Sequence, residues 1–348
     1  MECSLQLRKN FLLHRRRSDF RCHRVGDPLE GKWVLILQIQ KRSAMKNLLF
    51  LACFLLHGHI TLGQTPTLYI SKDQGENWEP ASDGFPAGGT VNAWTTFGNT
   101  LVAGTRAHGI YLSDRSLKWY RSPDFPKETQ VNALLNYANK LLLAGTSGKG
   151  IFLSVDGGEH WHASSSGLTN VTVRCFYAAR SMLLAGTDHG LFASWDEARS
   201  WKLVKGDLQI NNIVSNGDRI YAATQLGLMF SADDGGSWSF VYADDAISKL
   251  WVDRDEILMM DFMGHTIHSI DQGLTWLRSD VYLPDSFTFR LTPGSAKFFV
   301  AAWQGRFKML SGKMSFGIRC YGLPGDLPVT LLLNTSFGIL ASGGGDGC

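Results

Sequence analysis

The sequence predicts an all-β protein: a seven-bladed β-propeller of four-stranded blades, closed by pairing N-terminal strands with C-terminal ones. Three observations predict it. An octapeptide recurs as SKDQGENW (71–78), SVDGGEHW (154–161), SADDGGSW (231–238) and SIDQGLTW (269–276), with looser copies SWDEARSW (194–201) and SDRSLKW (113–119). The opening serines at 71, 113, 154, 194, 231 and 269 set a period of about 40 residues, the length of one blade. Between copies the chain breaks into short β-branched or aromatic runs bounded by Gly, Ser or Asn, and no long stretch has helical periodicity.

The elements follow in chain order. Residues 1–44 carry ten Lys/Arg against four acids and read as an over-extended start or a disordered basic leader. From Met45 the chain reads MKNLLFLACFLLHGHITLGQ, the layout of a signal peptide over 45–63, with cleavage near Gly63–Gln64. The apolar run is too short for a membrane span, and Phe50-Leu51-Ala52 before Cys53 is a poor acylation box. Residues 64–348 are the propeller. TPTLYISKDQGENWEP supplies a third and a fourth strand with no first or second before them. Inner strands are expected to start at Val91, Val131, Val171, Ile210, Ile247, Phe287 and Val329, seven in all. The second blade shows the four runs plainly: VNALLNY (131–137), KLLLAGT (140–146), GIFLS (150–154) and HWHAS (160–164). The sixth has lost its box, leaving SGKMSF (311–316), and the seventh stops inside its third strand at Cys348. The two terminal pieces complete one blade, which removes two open sheet edges.

Each box sits between a third and a fourth strand. Its aspartate (Asp73, Asp156, Asp196, Asp233, Asp271) is expected to accept the loop's own N–H groups after Ser71, Ser154, Ser231 or Ser269 ends the outgoing strand. Gly75, Gly158, Gly235 and Gly273 supply positive φ, and Ala198 stands in that place in the looser copy. Trp78, Trp161, Trp201, Trp238 and Trp276 then cover the turn, each burying about 200 Å². One carboxylate per box is too few for calcium, so the octapeptide reads as structural.

SxDxGxxW repeated at blade spacing resembles the Asp-box (BNR) repeat of sialidases, sortilin-type receptors, xyloglucanases and the photosystem II assembly-factor-like propellers of bacteria. The likeness covers essentially all of 64–348 and is nearest in organisation to secreted bacterial single-propeller members. It implies boxes on the rim away from the ligand face, which puts function on the opposite, top face.

Candidates there are Arg106 and His108, Lys149, Asp188 and His189, Gln225, Phe262 and His265, Trp303 and Arg306, and Asp346. Mixed charges with a few aromatics suit a protein or glycan ligand, against the plainer reading of wet polar loops. Second positions of the inner strands read Asn92, Asn132, Thr172, Asn211, Ser248, Thr288 and Thr330, expected to satisfy strand-end backbone groups or to meet ligand hydroxyls. Two positions on, the column is Trp94, Leu134, Arg174, Ile213, Leu250, Arg290 and Leu332. An arginine in an apolar column needs a carboxylate or water, so Arg174 and Arg290 are expected in buried ion pairs, or as an anion site in the channel.

A sialidase-like mechanism would need an Arg triad, a Tyr–Glu pair, an Asp acid and a Phe-Arg-Ile-Pro stretch before the first box. Only TPTLYI precedes that box, FRLTP (289–293) lies in the wrong blade, and Asp244-Asp245 reads as a solvated turn. From 64 onward 23 basic residues face 27 acids, which argues against nucleic-acid binding. Cys175, Cys320 and Cys348 form no disulfide framework, and no CxxC or HExxH motif signals a metal. No cofactor is expected. The leading expectation is a secreted or periplasmic, monomeric, non-catalytic binding or assembly module for a protein or glycan partner. The alternative is a divergent glycoside hydrolase using the central channel.

Overall fold

The computed structural model describes residues 67–343 apart from 74, 76, 169–171, 254, 283–287, 292–296, 303–305, 312–314 and 319–328; for 253, 279–282, 288–291, 297–302, 306–311, 315–318 and 329–330 only the backbone is described. The leader and signal-peptide expectations over 1–63 and the side chains of Arg290, Trp303, Arg306, Cys320, Asp346 and Cys348 therefore lie outside the described residues.

Every element among the described residues is a strand. The chain opens with β1 (Leu68–Ser71) and β2 (Glu79–Pro80). Blade 1 is β3 (Val91–Phe97), β4 (Thr100–Thr105), β5 (Ile110–Ser113) and β6 (Trp119–Arg121), and blade 2 is β7 (Val131–Tyr137), β8 (Leu141–Thr146), β9 (Ile151–Ser154) and β10 (His162–Ala163). Blade 3 is β11 (Val173–Ala178), β12 (Leu183–Thr187), β13 (Gly190–Ser194) and β14 (Lys202–Gly206); blade 4 is β15 (Ile210–Asn216), β16 (Arg219–Thr224), β17 (Gly227–Ser231) and β18 (Ser239–Tyr242). Blade 5 is β19 (Ile247–Asp253), β20 (Glu256–Asp261), β21 (His265–Ser269) and β22 (Leu277–Tyr282). Blade 6 is β23 (Thr288–Leu291), β24 (Lys297–Ala302), β25 (Arg306–Ser311) and β26 (Ser315–Ile318), before β27 (Val329–Thr335) and β28 (Gly338–Gly343). All are antiparallel meanders of four strands.

The remaining sheet has the order β2-β1-β28-β27. Leu68 pairs with Ser342, Ile70 with Leu340 and Ser71 with Ile339. The first strands of successive blades contact one another in order, and β27 contacts β3. This arrangement is compatible with seven blades closed through a blade shared by both ends.

The core lies between blades rather than within them. Val102, Leu112, Phe125, Val131, Leu142 and Trp161 form one apolar layer joining blades 1 and 2. Leu68, Ile70, Val91, Trp94, Trp119 and Leu340 form another at the seam between the shared blade and blade 1. A second strand such as β8, covered on both faces, is buried at all six residues, which is why its sequence is a continuous apolar run. Outer strands face water, as the mostly exposed KLVKG of β14 shows.

Candidate functional site

The boxes come first because they fix the frame. In the first, Ser71 Oγ donates to Asp73 Oδ1 (2.8 Å) and accepts from Gly75 N–H (2.7 Å), while Asp73 accepts Asn77 N–H (2.8 Å) and Asn77 Nδ2 (2.6 Å). The same bonds recur around Asp156, Asp196, Asp233 and Asp271. Hydrogen bonds from the seventh box residue, then from the serine, hold the carboxyls of Asp73, Asp196, Asp233 and Asp271 at about 2. Burial pushes Asp156 upward, but its bonds from His160 and Ser154 outweigh that and leave it at about 2 as well. The fifth position is left-handed, with φ of 93° at Gly75 and 100° at Gly158. Ala198 accepts the same conformation at φ 68°, with its methyl fully buried.

The boxes do more than reverse the chain. Three of the tryptophans that close boxes reach back to the segment after the preceding blade's outer strand, whereas Trp78 and Trp238 donate to Gly75 O (3.1 Å) and Gly235 O (3.0 Å) of their own boxes. Trp119 Nε1 donates to Ala81 O (2.8 Å), Trp161 Nε1 to Ser122 Oγ (3.1 Å) and Trp201 Nε1 to Ser164 O (2.9 Å). The main chain of that segment fits so closely that a Cβ on Gly84 or Gly167 would lie 2.0 Å from the carbonyl oxygen of Trp119 or Trp201. The boxes are clamps between blades. Sequence reasoning missed this role, although ASDGF (81–85) and SSSGL (164–168) carried its signal.

The opposite end holds the loops between second and third strands. Arg106 and His108 are exposed on the turn between β4 and β5, Lys149 between β8 and β9, His189 between β12 and β13, and Phe262 between β20 and β21. Lys149 Nζ donates to Thr129 Oγ1 (2.9 Å). Burial raises the Asp188 carboxyl, but bonds from His189 and from Thr172 N–H (2.9 Å) outweigh it and leave it below the usual range. These candidates thus share one end, spread over successive blades.

Arg174 requires a correction. Blade 3 begins at Val173, not Val171, because Val173 pairs with Thr187 and Cys175 with Gly186 across a β-bulge. The equivalent bulges fall at Asn92, Asn132, Asn211, Ser248 and Thr330. Arg174 therefore belongs with the short polar residues in place of Thr172, and Phe176 takes its place in the apolar column. The expected buried ion pair is absent: Arg174 is exposed, and no salt bridge to it occurs among the described residues. The polar ring itself ties blades together. Asn132 Nδ2 donates to Val173 O (3.1 Å) and Asn211 Nδ2 to Ile247 O (2.7 Å). In blade 3 the equivalent carbonyl, Ile210 O, faces Cys175 Sγ at 4.0 Å, and burial pushes that thiol up to about 12. Cys175 takes over the tie, and the guanidinium one residue earlier is left to solvent.

Blade 5 brings together residues that sequence reasoning had separated. Arg278 Nη1 binds Asp245 (2.8 and 3.0 Å) and Nη2 binds buried Asp261 (3.1 Å), whose carboxylate also meets His265 Nδ1 (2.8 Å). Tyr242 Oη donates to Asp245 at 2.5 Å. Asp245 is thus not a solvated turn residue but the centre of an ion-pair network. Burial, then the Asp245 carboxylate, raises the proton affinity of the Tyr242 hydroxyl.

The BNR/Asp-box repeat model matches residues 69–80. Solved structures similar to this chain include YCF48 bound to D1 peptide, at 11% identity over 80% of this chain and 97% of that one, with a TM-score of 0.57. BamB from Moraxella catarrhalis matches at 13% identity over 81% and 92%, with a TM-score of 0.50. The extracellular domain of the one component system BT4673 from B. thetaiotaomicron matches at 13% identity over 76% of this chain and 39% of its own, with a TM-score of 0.46. This chain spans about two-fifths of the length of that last protein. No curated protein matches the sequence. With the four-stranded blades and the likenesses to YCF48 and BamB, the chain has a β-propeller fold, and it carries a BNR/Asp-box repeat at 69–80 whose bonds recur in its other boxes.

Proposed function

We propose that the protein is a non-catalytic binding or assembly module, exported from the cytoplasm, that holds a protein or glycan partner on the end opposite the boxes. The observation that carries this reading is Arg174: where blades 2 and 4 use an asparagine for cohesion, blade 3 sets Cys175 opposite the equivalent carbonyl and exposes a guanidinium. Arg106, His108, Lys149 and His189, on blades 1 to 3, add basic groups at the same end. A planar fork flanked by cations suits a carboxylate-bearing segment of a partner. That one similar propeller is described as bound to a peptide is in keeping with this, and the layout of 45–63 supports export.

The hydrolase alternative has one observation in its favour, the Tyr242–Asp245 contact. A nucleophilic tyrosine needs its proton removed easily, whereas this one is held more tightly than usual. The shifted carboxyls among the described residues are all lowered, the reverse of what a general acid requires.

The test pairs two measurements. Fluorescence anisotropy with a panel of labelled acidic peptides should show saturable binding that weakens about tenfold in Arg174→Ala, the worth of one charge-assisted contact. A panel of glycosides, sialosides included, should release no sugar. Turnover abolished by Arg174→Ala would replace this reading with the hydrolase one.

A further inference from the structure

At the box end, the fourth box residue of blades 2, 3 and 4 reaches the turn between the first and second strands of the preceding blade, whereas in blade 5 Gln272 bonds Asp255 of its own blade (2.6 Å). In blade 3, Glu197 pairs with Lys140 of blade 2. In blade 4, Asp234 accepts Arg180 N–H (3.0 Å), Ser181 N–H (2.9 Å) and Ser181 Oγ (2.9 Å) of blade 3. In blade 2, Gly157 lies against the ring of Phe97, so close that an added Cβ would sit 3.3 Å from it. Two of these three stitches are made by a carboxylate.

Blade 1 breaks the pattern at the seam. Its box, SDRSLKW, is one residue short, and the residue at the stitching position is Arg115. The loop is tightened instead: Ser113 Oγ donates to Lys118 O (2.8 Å), and Ser116 N–H donates to Asp114 Oδ1 (2.8 Å). Among the described residues Arg115 hydrogen-bonds none of the shared blade and turns toward Asn99 Oδ1 (3.2 Å) of its own blade. Between it and the β27–β28 turn lies a cavity of about 280 Å³, whose lining includes Thr96, Asn99, Arg115, Thr335, Ser336 and Phe337. Among the described residues the lining holds one cation, several hydroxyls and amides, and no acid.

We propose that this seam cavity is a carboxylate-binding site, distinct from the opposite end, in which an external acid takes the place that the box carboxylates Glu197 and Asp234 fill in blades 3 and 4. Arg115 supplies the charge, and the Ser336 hydroxyl with its turn supplies the donors that Ser181 and its turn give to Asp234 in blade 4. The volume admits a group of glutamate size, and Phe337 and Leu101 face its methylene stem. The acid is either a small free carboxylate or the acidic side chain of a partner segment.

Isothermal titration of the full chain with N-acetyl-L-glutamate α-amide, N-acetyl-L-glutamine α-amide and the blocked peptide acetyl-Gly-Glu-Gly-amide tests this. At least one of the two glutamate ligands should bind saturably and the glutamine ligand should not. Arg115→Ala should weaken binding about tenfold or more while leaving the melting temperature unchanged, because Arg115 is exposed. Binding by the free acid alone supports a small-molecule ligand, and binding by the peptide supports a partner's side chain. Equal heat from glutamine, no saturable heat from either glutamate ligand, or undiminished binding in a folded Arg115→Ala protein overturns the proposal.

Discussion

At the residue scale, the closest fits are made by glycines that no charge or motif marks. Gly167 has φ +88°, and a Cβ there would fall 2.0 Å from the Trp201 carbonyl oxygen, a main-chain atom that cannot swing aside. Gly148 has a similar φ of +77° with nothing within 4 Å of an added Cβ. The pair separates backbone strain from collision. Gly148→Ala should cost about 1 kcal/mol, the left-handed penalty alone. Gly167→Ala should cost about 3 kcal/mol or more, because the clamp between blades 2 and 3 must open as well. Urea denaturation of both variants checks this, and equal losses would show that the Trp201 contact is slack. Arg174 teaches the complementary lesson. Its chemistry was legible in the sequence, but its place was not, because a bulge shifts register without changing composition. Val171 and Val173 are equally good strand starts until the pairing of Val173 with Thr187 is known.

At the element scale, the box was legible almost bond for bond. Serine, aspartate and a left-handed fifth residue act within one loop, and local chemistry is what a short motif records. The tryptophan's partners, Ala81, Ser122 and Ser164, lie in another blade, and no local pattern specifies them. The depressed carboxyls give the boxes a signature. Each aspartate has a folded value of about 2 against an ordinary 3.8. Their contribution to stability is therefore complete above about pH 4 to 5 and is lost as pH falls toward 2. The melting temperature should be flat on this account near neutrality and fall steeply between roughly pH 4 and 2, less steeply in Asp233→Asn. A wild-type melting temperature that holds down to pH 2 would mean that these loops contribute nothing to cohesion.

At the scale of the whole molecule, both ends of the chain meet in one sheet, with β1 between β2 and β28. The sheet order is compatible with the seven blades and the split blade that the repeat period led us to expect. Without β27 and β28, β1 would present the edge that Leu340 and Ser342 now cover, and the apolar layer around Leu68, Ile70 and Trp94 would lose Leu333 and Leu340. Deleting 329–348 should therefore unfold the protein or drive it into oligomers. Light scattering after size exclusion, together with a melting curve, reads this out. A monomer with an unchanged melting temperature would refute a ring closed through β1 and β28.

The shared blade also sets a timetable. Blades 1 to 5 can form as local hairpins while the chain is still being made, and β1 can pair with β2, but the other edge of β1 must wait for β28. Joining residues so far apart adds little to the equilibrium cost, since loop-closure entropy grows only with the logarithm of length, yet non-local pairing is slow. On this account the pairing of β1 with β28 is expected to come late in folding. A nascent chain stalled before residue 329 would carry an unsatisfied strand edge, open to chaperones or to a neighbouring copy.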